Sequence, residues 1–304
     1  MLVRPMILRI DNLTEPTETV SVEYTGVYKV FSVNNVINYE HKDYNSWVVE
    51  TTNHNSAAAT KLYFAIDTIY NDAFCHWVFE CAIYLPLFKL LQRKHPLIKL
   101  YLKTPRAYKT IFCEHFDIMA SDVVYSLDAT CNAMCYFPSP ISALNDAGLD
   151  AMLVRQLDVF WETFRENAAS NKYSVVVMPR QSKENYYGND RTINFGPICD
   201  YAQTQPDSLI LHTDRIEKLA TQIDLVCASN VLVVADGSAF HVNGMFCYGK
   251  NIIVTGPMLS IIQSRSQPKL DHIVKRIIGQ NASVQFIENI ERAKEELMLQ
   301  LKKG

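Results

Sequence analysis

Three clusters of polar residues in this 304-residue chain combine side-chain types that could do chemistry, and each follows a run of apolar residues. In the first cluster, His76 and Glu80 are four residues apart, so a helix would place both side chains on one face. A carboxylate beside an imidazole orients the ring and strengthens it as a proton acceptor, which predicts a general base. Asp72 lies four residues before His76 and is a rival for that role. The structural alternative is a His–Glu pair that only anchors the end of a helix.

The second cluster supplies positive charge. Arg180 comes two residues after the β-branched run Tyr173–Met178, and Arg191 and Asn194 follow a polar loop. Arginine binds phosphate oxygens in a bidentate manner and stays charged, so two arginines near one strand end predict a diphosphate site. The alternative is a pair of surface arginines with acidic partners.

The third cluster follows the clearest buried-strand run, residues 230–235, and reads Asp236-Gly-Ser-Ala-Phe-His241. Gly237 would let a ligand approach the backbone, and Ser238 with the amides after it would bind an anion at the positive end of a helix. His241 could add a hydrogen-bond donor. The alternative is an ordinary strand-to-helix turn with Ser238 as the N-cap. The spacing matches neither a P-loop, nor a dinucleotide-binding fingerprint, nor a hydrolase elbow.

The elements that must position these clusters alternate between strand and helix. A buried strand over 61–66 precedes a helix that begins near Asp72, and Pro86 should bend or restart that helix because it has no N–H to donate. The apolar patterns predict further strands at 99–102, 123–125, 173–178, 208–211, 230–235 and 251–254, with helices at 108–116, 216–227 and 288–303 and a helix near 244–248. This alternation predicts an α/β fold with parallel sheets and crossover helices, behind a strand-rich segment of about 55 residues.

The length fits two domains of about 150 residues each better than one. A boundary near residues 150–170 leaves an N-terminal α/β domain (1–160), which includes the strand-rich first segment, and a C-terminal α/β domain (161–304). Whether the last helix crosses back to the first domain stays open. Two doubly wound domains would face each other across a cleft at the C-terminal ends of their strands, where α/β folds bind ligands.

Composition excludes several classes of protein. The net charge of −3 lacks the basic excess of a general nucleic-acid binder. No apolar run reaches about 18 residues, which predicts no transmembrane segment, and Arg4 and Arg9 interrupt the apolar core that a signal peptide would need. The eight cysteines form no CxxC pair, so we expect reduced thiols, no metal site and a cytoplasmic location.

Taken in order, the three clusters resemble the motifs of glycosyltransferase family 61, over roughly residues 60 to 260. Members show an H-W-x-x-E/D helix in the first half, an arginine after a strand, an R-x-x-N element, and a late G-S/A-x-x-H/N turn after an apolar strand. The matching residues are His76, Trp77, Glu80, Arg180, Arg191, Asn194 and 236–241, and Gln222 also fits. Asp236 stands where many relatives have His or Glu, and Asn243 is one place away from a typical Asn.

The resemblance implies a GT-B fold, in which two Rossmann-like domains face each other across a cleft, and an inverting transfer of sugar from a nucleotide-sugar donor to a glycan hydroxyl. His76, supported by Glu80, would be the base, with Asp72 and Asp236 as rivals. UDP-xylose is the favoured donor and UDP-N-acetylglucosamine the next. The resemblance assigns the donor to the C-terminal half, at Arg180, Arg191, Asn194, Asp236, Gly237, Ser238 and His241.

The resemblance implies no obligatory cofactor beyond the donor substrate. A divalent metal is not expected, because the chain has no DxD triplet, although Asp236 could contact a cation. Two other functions stay open: a non-catalytic nucleotide- or carbohydrate-binding protein of the same fold, and an unrelated two-domain α/β binding protein of the periplasmic type. The lack of a signal-peptide pattern argues against the second. The acceptor, the linkage and the oligomeric state do not follow from the sequence.

Overall fold

The computed structural model divides the chain into two compact units, Met1–Phe160 and Trp161–Gly304. Asp72, Arg180 and Arg191 lie outside the residues that it describes. Those residues are 6–7, 20–21, 28–33, 36–41, 47–51, 61–66, 74–94, 96–102, 104–125, 133–136, 151–164, 172–179, 194–212, 218–256 and 268–303.

The first unit opens with five short antiparallel strands. Strand β1 (Met6–Ile7) pairs with β2 (Val20–Ser21). Strands β3 (Tyr28–Val33), β4 (Val36–His41) and β5 (Trp47–Thr51) form a three-stranded sheet. These five strands lie in the segment that the sequence predicts to be strand-rich.

A four-stranded parallel sheet follows in the first unit. Its strands are β6 (Lys61–Ala65), β7 (Ile98–Tyr101), β8 (Val123–Val124) and β9 (Ala133–Tyr136), in the order β8-β7-β6-β9. All three pairings are parallel, as the alternation of strands and helices predicts.

Helices α1 (Phe74–Glu80) and α2 (Leu85–Lys94) connect β6 to β7, and α3 (Ala107–His115) precedes β8. The predicted break at Pro86 is confirmed, because α1 ends at Glu80 and a 3-10 turn at Ala82–Tyr84 separates it from α2. Pro86 then lies in the first turn of α2, where its missing N–H removes no helical hydrogen bond.

The second unit contains a five-stranded parallel sheet in the order β11-β10-β12-β13-β14. The strands are β10 (Tyr173–Met178), β11 (Ser208–Ile210), β12 (Ser229–Ala235), β13 (Asn251–Thr255) and β14 (Ser283–Ile287). The three inner strands are rich in Val and Ile because a parallel sheet with both faces covered buries alternate residues on each side.

The remaining helices are α4 (Ala151–Glu162), α5 (Gly196–Gln203), α6 (Leu219–Cys227), α7 (Ser238–Phe246), α8 (Pro268–Gln280) and α9 (Ile290–Lys303). The division between the two units falls within α4.

Helices cover both faces of the five-stranded sheet. One face packs against α5 and α9 through a cluster that includes Val177, Val233, Ile198 and Leu297. Alternate residues such as Val176 face the other side and are also fully buried. Helices α6 and α7 contact β12, and α8 contacts β14.

These elements confirm an α/β fold with parallel sheets, whereas the GT-B arrangement of the two units stays a prediction. Cys199, Cys227 and Cys247 of the second unit are free thiols. Within the described ranges, none of the helices has the length and apolar character needed to cross a bilayer.

Candidate functional site

The topology of the second unit indicates a ligand site at the carboxyl ends of its strands. From β10 the chain crosses to β11 on one side, and from β12 it crosses to β13 on the other. In open α/β sheets, ligands bind outside the carboxyl ends of the strands where the strand order reverses in this way. Here that point lies between β10 and β12, so the segments that follow Met178 and Ala235 are the ones that would line a ligand.

The turn after β12 presents the start of a helix at this edge. Gly237 is the N-cap of α7 and has a φ of 79°, a conformation that favours glycine. The helix makes its first bond when the His241 N–H donates to the Gly237 carbonyl oxygen at 3.0 Å. Ser238 is exposed as the first helical residue, so its alternative role as N-cap is wrong. Because glycine has no side chain to cap the helix, the first amides of α7 are suited to an anion.

Asp236 is held against the adjacent strand β13. Its backbone N–H donates to the Thr255 carbonyl oxygen at 3.0 Å, and its side chain is buried. A Cβ atom built on Gly256 would lie 2.6 Å from the Asp236 Cγ and 2.8 Å from either carboxylate oxygen. Gly256 therefore makes room for this carboxylate. Gly256 was not predicted from the motifs, although a Thr-Gly-Pro run at the end of an apolar strand signals a turn at that position.

Asn243 and Gln222 form a side-chain pair behind the turn. Gln222 Nε2 donates to Asn243 Oδ1 at 2.6 Å, and Asn243 Nδ2 donates to the Ala239 carbonyl oxygen at 2.7 Å. Asn243 is 2% exposed. Both ends of its amide are therefore used within the protein, and it fixes the first turn of α7 to α6.

The other residues that the resemblance assigns to the donor lie in different surroundings. The His241 ring is 3% exposed and lies 5.3 Å from the Phe240 ring, so it is enclosed beneath the turn. Asn194 is exposed just before α5, and its Oδ1 accepts a hydrogen bond from the Gly196 N–H at 2.9 Å. Arg180 and Arg191, which fall between β10 and α5, lie outside the described residues.

The first unit holds the His–Glu pair that the spacing predicts. His76 Nδ1 lies 2.8 Å from Glu80 Oε1 on α1. The His76 side chain is 39% exposed and that of Glu80 is 10% exposed. A carboxylate that accepts from Nδ1–H leaves Nε2 as the proton-accepting nitrogen, and this tautomer is assigned from the hydrogen bond. The rival base Asp72 falls outside the described residues.

The position of α1 in the first unit parallels that of α7 in the second. In the order β8-β7-β6-β9 the chain leaves β6 toward β7 on one side, and β9 joins β6 on the other. The strand order reverses between β6 and β9, and α1 is the helix that follows the carboxyl end of β6. His76, in the first turn of α1, therefore follows the same kind of strand end as the Asp236-Gly237-Ser238 turn.

A buried lysine lies near Trp77, the residue that follows His76 in α1. Lys109 of α3 is fully buried, and its Nζ donates to Thr104 Oγ1 at 3.1 Å. The same Nζ lies 5.8 Å from the centre of the Trp77 ring. The burial of Lys109 was not predicted from the sequence, because a lysine in an amphipathic helix normally faces water.

Among the described residues, no group of three or more His, Cys, Asp or Glu side chains could hold a metal ion. No protein-family model matches the chain, and no curated protein matches it either.

Proposed function

We propose that the chain is an inverting glycosyltransferase of the GT-B type, which transfers a sugar from a UDP-sugar to a hydroxyl of a glycan. The observation that carries this proposal is the uncapped start of α7 at Gly237 and Ser238, beside the reversal of strand order between β10 and β12. A helix N-terminus at that point in an α/β sheet is suited to a phosphate group. The motif resemblance supplies the reaction type.

On the donor side, the diphosphate would contact the first amides of α7 and the two arginines between β10 and α5, Arg180 and Arg191. Negative charge grows on the leaving phosphate as its bond to the sugar breaks. Guanidinium groups and oriented amides stabilise that charge more strongly than they stabilise the ground state, which lowers the barrier. The proposal therefore includes no obligatory metal, since these groups supply the positive charge. UDP-xylose is the first donor to test, and UDP-N-acetylglucosamine the second.

On the acceptor side, His76 Nε2 would take the proton of the attacking hydroxyl while Glu80 holds Nδ1–H. The hydroxyl oxygen forms a bond to the anomeric carbon as the bond from that carbon to the phosphate oxygen breaks. UDP leaves with the electron pair. A single in-line displacement inverts the anomeric centre and needs no covalent intermediate. Asp72 and Asp236 remain rival bases in this scheme.

We also propose a cytoplasmic location, which the free thiols of Cys199, Cys227 and Cys247 support, because reducing compartments keep thiols unpaired. The proposal treats the two units as the two halves of a GT-B enzyme, with the acceptor on the first and the donor on the second.

Transfer with a panel of nucleotide sugars and glycan acceptors tests the proposed activity. We expect UDP release that depends on the acceptor, with a matching increase in acceptor mass. Binding of UDP without transfer to any acceptor would favour the non-catalytic binding protein. Tight binding of a free sugar without affinity for nucleotides would favour the unrelated two-domain binding protein.

Arg180→Ala tests the donor side, with Lys172→Ala as the matched control at the other end of β10. We expect Arg180→Ala to lower kcat by about 10²- to 10³-fold, as does the loss of one group that stabilises developing charge. Lys172→Ala should leave kcat unchanged, because Lys172 precedes the amino end of the strand. Equal rates in both variants would remove Arg180 from the mechanism.

A further inference from the structure

Lys109 is an anomaly in the first unit, because lysine is almost never fully buried without partners that compensate it. Two of its partners come from different elements. Thr104 lies in the turn between β7 and α3, and Trp77 belongs to α1. The ammonium group therefore links α1, which follows β6, to the turn after β7 and to α3.

Trp77 is the element of this cluster that bears on the candidate base. It directly follows His76 in α1 and is fully buried. Its ring packs edge-on against Tyr108 at 5.6 Å and Phe112 at 5.8 Å, both on α3, with the Lys109 ammonium 5.8 Å from its centre. An ammonium group near the face of an indole attracts it electrostatically, more strongly when both are removed from water. The orientation of Trp77 thus fixes the rotation of α1 about its axis.

That rotation decides where the His76 ring points. His76 and Glu80 share one face of α1, and Trp77 is rotated about 100° from His76 around the helix. A turn of α1 that moves the indole also moves the imidazole. His76 is partly exposed and has its own bond to Glu80, so its position relative to a substrate depends on the helix that carries it.

We propose that Lys109 is a positioning residue for the His76–Glu80 pair: its ammonium group, bonded to Thr104 and held near the face of Trp77, fixes the first turn of α1. The proposal deepens the proposed function and rests on it for the role of His76 as base. The positional claim itself concerns α1 and can be tested without substrate.

The first test is spectroscopic. We would label the histidines and follow the His76 ring signals by NMR, assigned with His76→Asn, in Lys109→Met, Lys109→Arg and Thr104→Val. Methionine keeps most of the length of lysine without its charge. We expect Lys109→Met to shift the His76 signals and leave those of His272, in the other unit, unchanged. Lys109→Arg should restore signals close to those of the unaltered protein, because it keeps a cation near the indole.

Lys99→Met is the matched control. Lys99 donates to Asp122 and to the Ser121 carbonyl oxygen, neither of which belongs to α1. Its replacement by methionine removes one positive charge from the first unit, as Lys109→Met does. We expect it to leave the His76 signals unchanged. Folding is checked by circular dichroism, and Thr104→Val provides the milder change should Lys109→Met fail to fold. Unchanged His76 signals in folded Lys109→Met would overturn the proposal. If Lys109→Met does not fold, unchanged His76 signals in Thr104→Val would overturn it.

The second test separates this proposal from the proposed function. In transfer assays, Lys109→Met should lower kcat by about tenfold or more with the donor KM within about twofold, because a misplaced base affects the chemical step and not donor binding. If the His76 signals shift in Lys109→Met but the unaltered protein transfers no sugar, the positioning role of Lys109 holds and the proposed glycosyltransferase activity is wrong. If folded Lys109→Met transfers sugar with an unchanged kcat, the proposed activity holds and the positioning role is wrong.

Discussion

Gln222 on α6 donates a 2.6 Å hydrogen bond to the Oδ1 of Asn243 on α7, and Asn243 in turn donates to the carbonyl oxygen of Ala239 in the first turn of α7. The pair links the helix before β12 to the helix after it. It therefore holds the start of α7, where we propose that the diphosphate binds, at a fixed position against α6.

Gln222→Leu should destabilise the second unit. The substitution leaves Asn243 Oδ1 without its donor in a buried position, which costs about 1–3 kcal/mol of unfolding free energy. Urea denaturation would measure the loss. Thr221→Ala, at the exposed neighbouring position on α6, is the control and should change stability by no more than about 0.5 kcal/mol. Equal stability of the two variants would contradict the role of the pair.

Gly256→Ala should displace the Asp236 carboxylate. The new Cβ would lie 2.6 Å from Asp236 Cγ, and the φ of 152° strains any side chain at this position. We expect a loss of about 1–3 kcal/mol, since backbone strain and overpacking each cost about that much.

Gly279→Ala provides the matched control for Gly256→Ala. A Cβ at Gly279 meets nothing within 4 Å, and this glycine lies inside helix α8. Alanine there should raise stability by up to about 1 kcal/mol, because glycine is a poor helix former. A Gly256→Ala protein as stable as Gly279→Ala would show that Asp236 does not need the space.

His76→Ala should remove most of the transfer activity and leave nucleotide binding intact. General-base catalysis contributes about 10²- to 10⁴-fold, so kcat should fall by that factor. Glu80→Gln should cost less, because the glutamine oxygen still accepts from Nδ1–H. Rate measurements at saturating donor, together with calorimetric titration of UDP, check both effects. A full rate in His76→Ala would shift the base to Asp72 or Asp236.

The ionised Asp122 side chain should stabilise the first unit at neutral pH, and this contribution to the free energy of unfolding should be lost in acid. Burial raises the pKa of this carboxyl, but the hydrogen bonds from Lys99 Nζ at 2.9 Å and Gln92 Nε2 at 2.7 Å outweigh it and hold the pKa below its ordinary value of 3.8. Because the folded protein favours the charged form, the contribution is complete above the ordinary pKa. It is lost as the pH falls through the lowered one.

Denaturation of the protein and of Asp122→Asn at pH 7, 5, 4 and 3 would measure this effect. The variant should be less stable at pH 7 and 5, and the difference should shrink toward pH 3. Glu114→Gln removes an exposed acid from the same unit and is the control for the loss of one negative charge. A difference between Asp122→Asn and the unaltered protein that stays constant down to pH 3 would contradict the lowered pKa.

The strands were the most predictable part of the fold. Tyr173–Met178 is a strand at the predicted residues, because a β-branched run buried on both faces has few other stable conformations. The position of α7 was predicted only in part. The third cluster places the start of a helix at Ser238, and α7 begins there because Gly237 adopts a positive φ that lets the chain turn directly from β12 into α7. The pattern near residues 244–248 did not show that Gly244 lies inside this same helix.

Gly244 shows why the sequence misled at that point. It lies inside α7, where glycine is unfavourable, and it is needed because a Cβ there would meet the Ile277 side chain at 2.9 Å. That close approach of two helices depends on residues 33 positions apart. Local sequence patterns carry no information about such a contact.

The candidate site was predictable where its partners are close in sequence and unpredictable where they are not. The His76–Glu80 bond follows from a spacing of four residues on a helix. The burial of Lys109 near Trp77 and the fit of Asp236 against Gly256 both depend on which strands are neighbours. That neighbour relationship emerges only when the parallel sheets have formed.

A crystal structure of the chain bound to UDP tests the central claim most directly. We predict that the diphosphate lies at the start of α7, within hydrogen-bond distance of the Ser238 amide, with Arg180 on its other side. UDP bound away from the carboxyl ends of β10 and β12, or no bound UDP at millimolar concentration, would contradict the account.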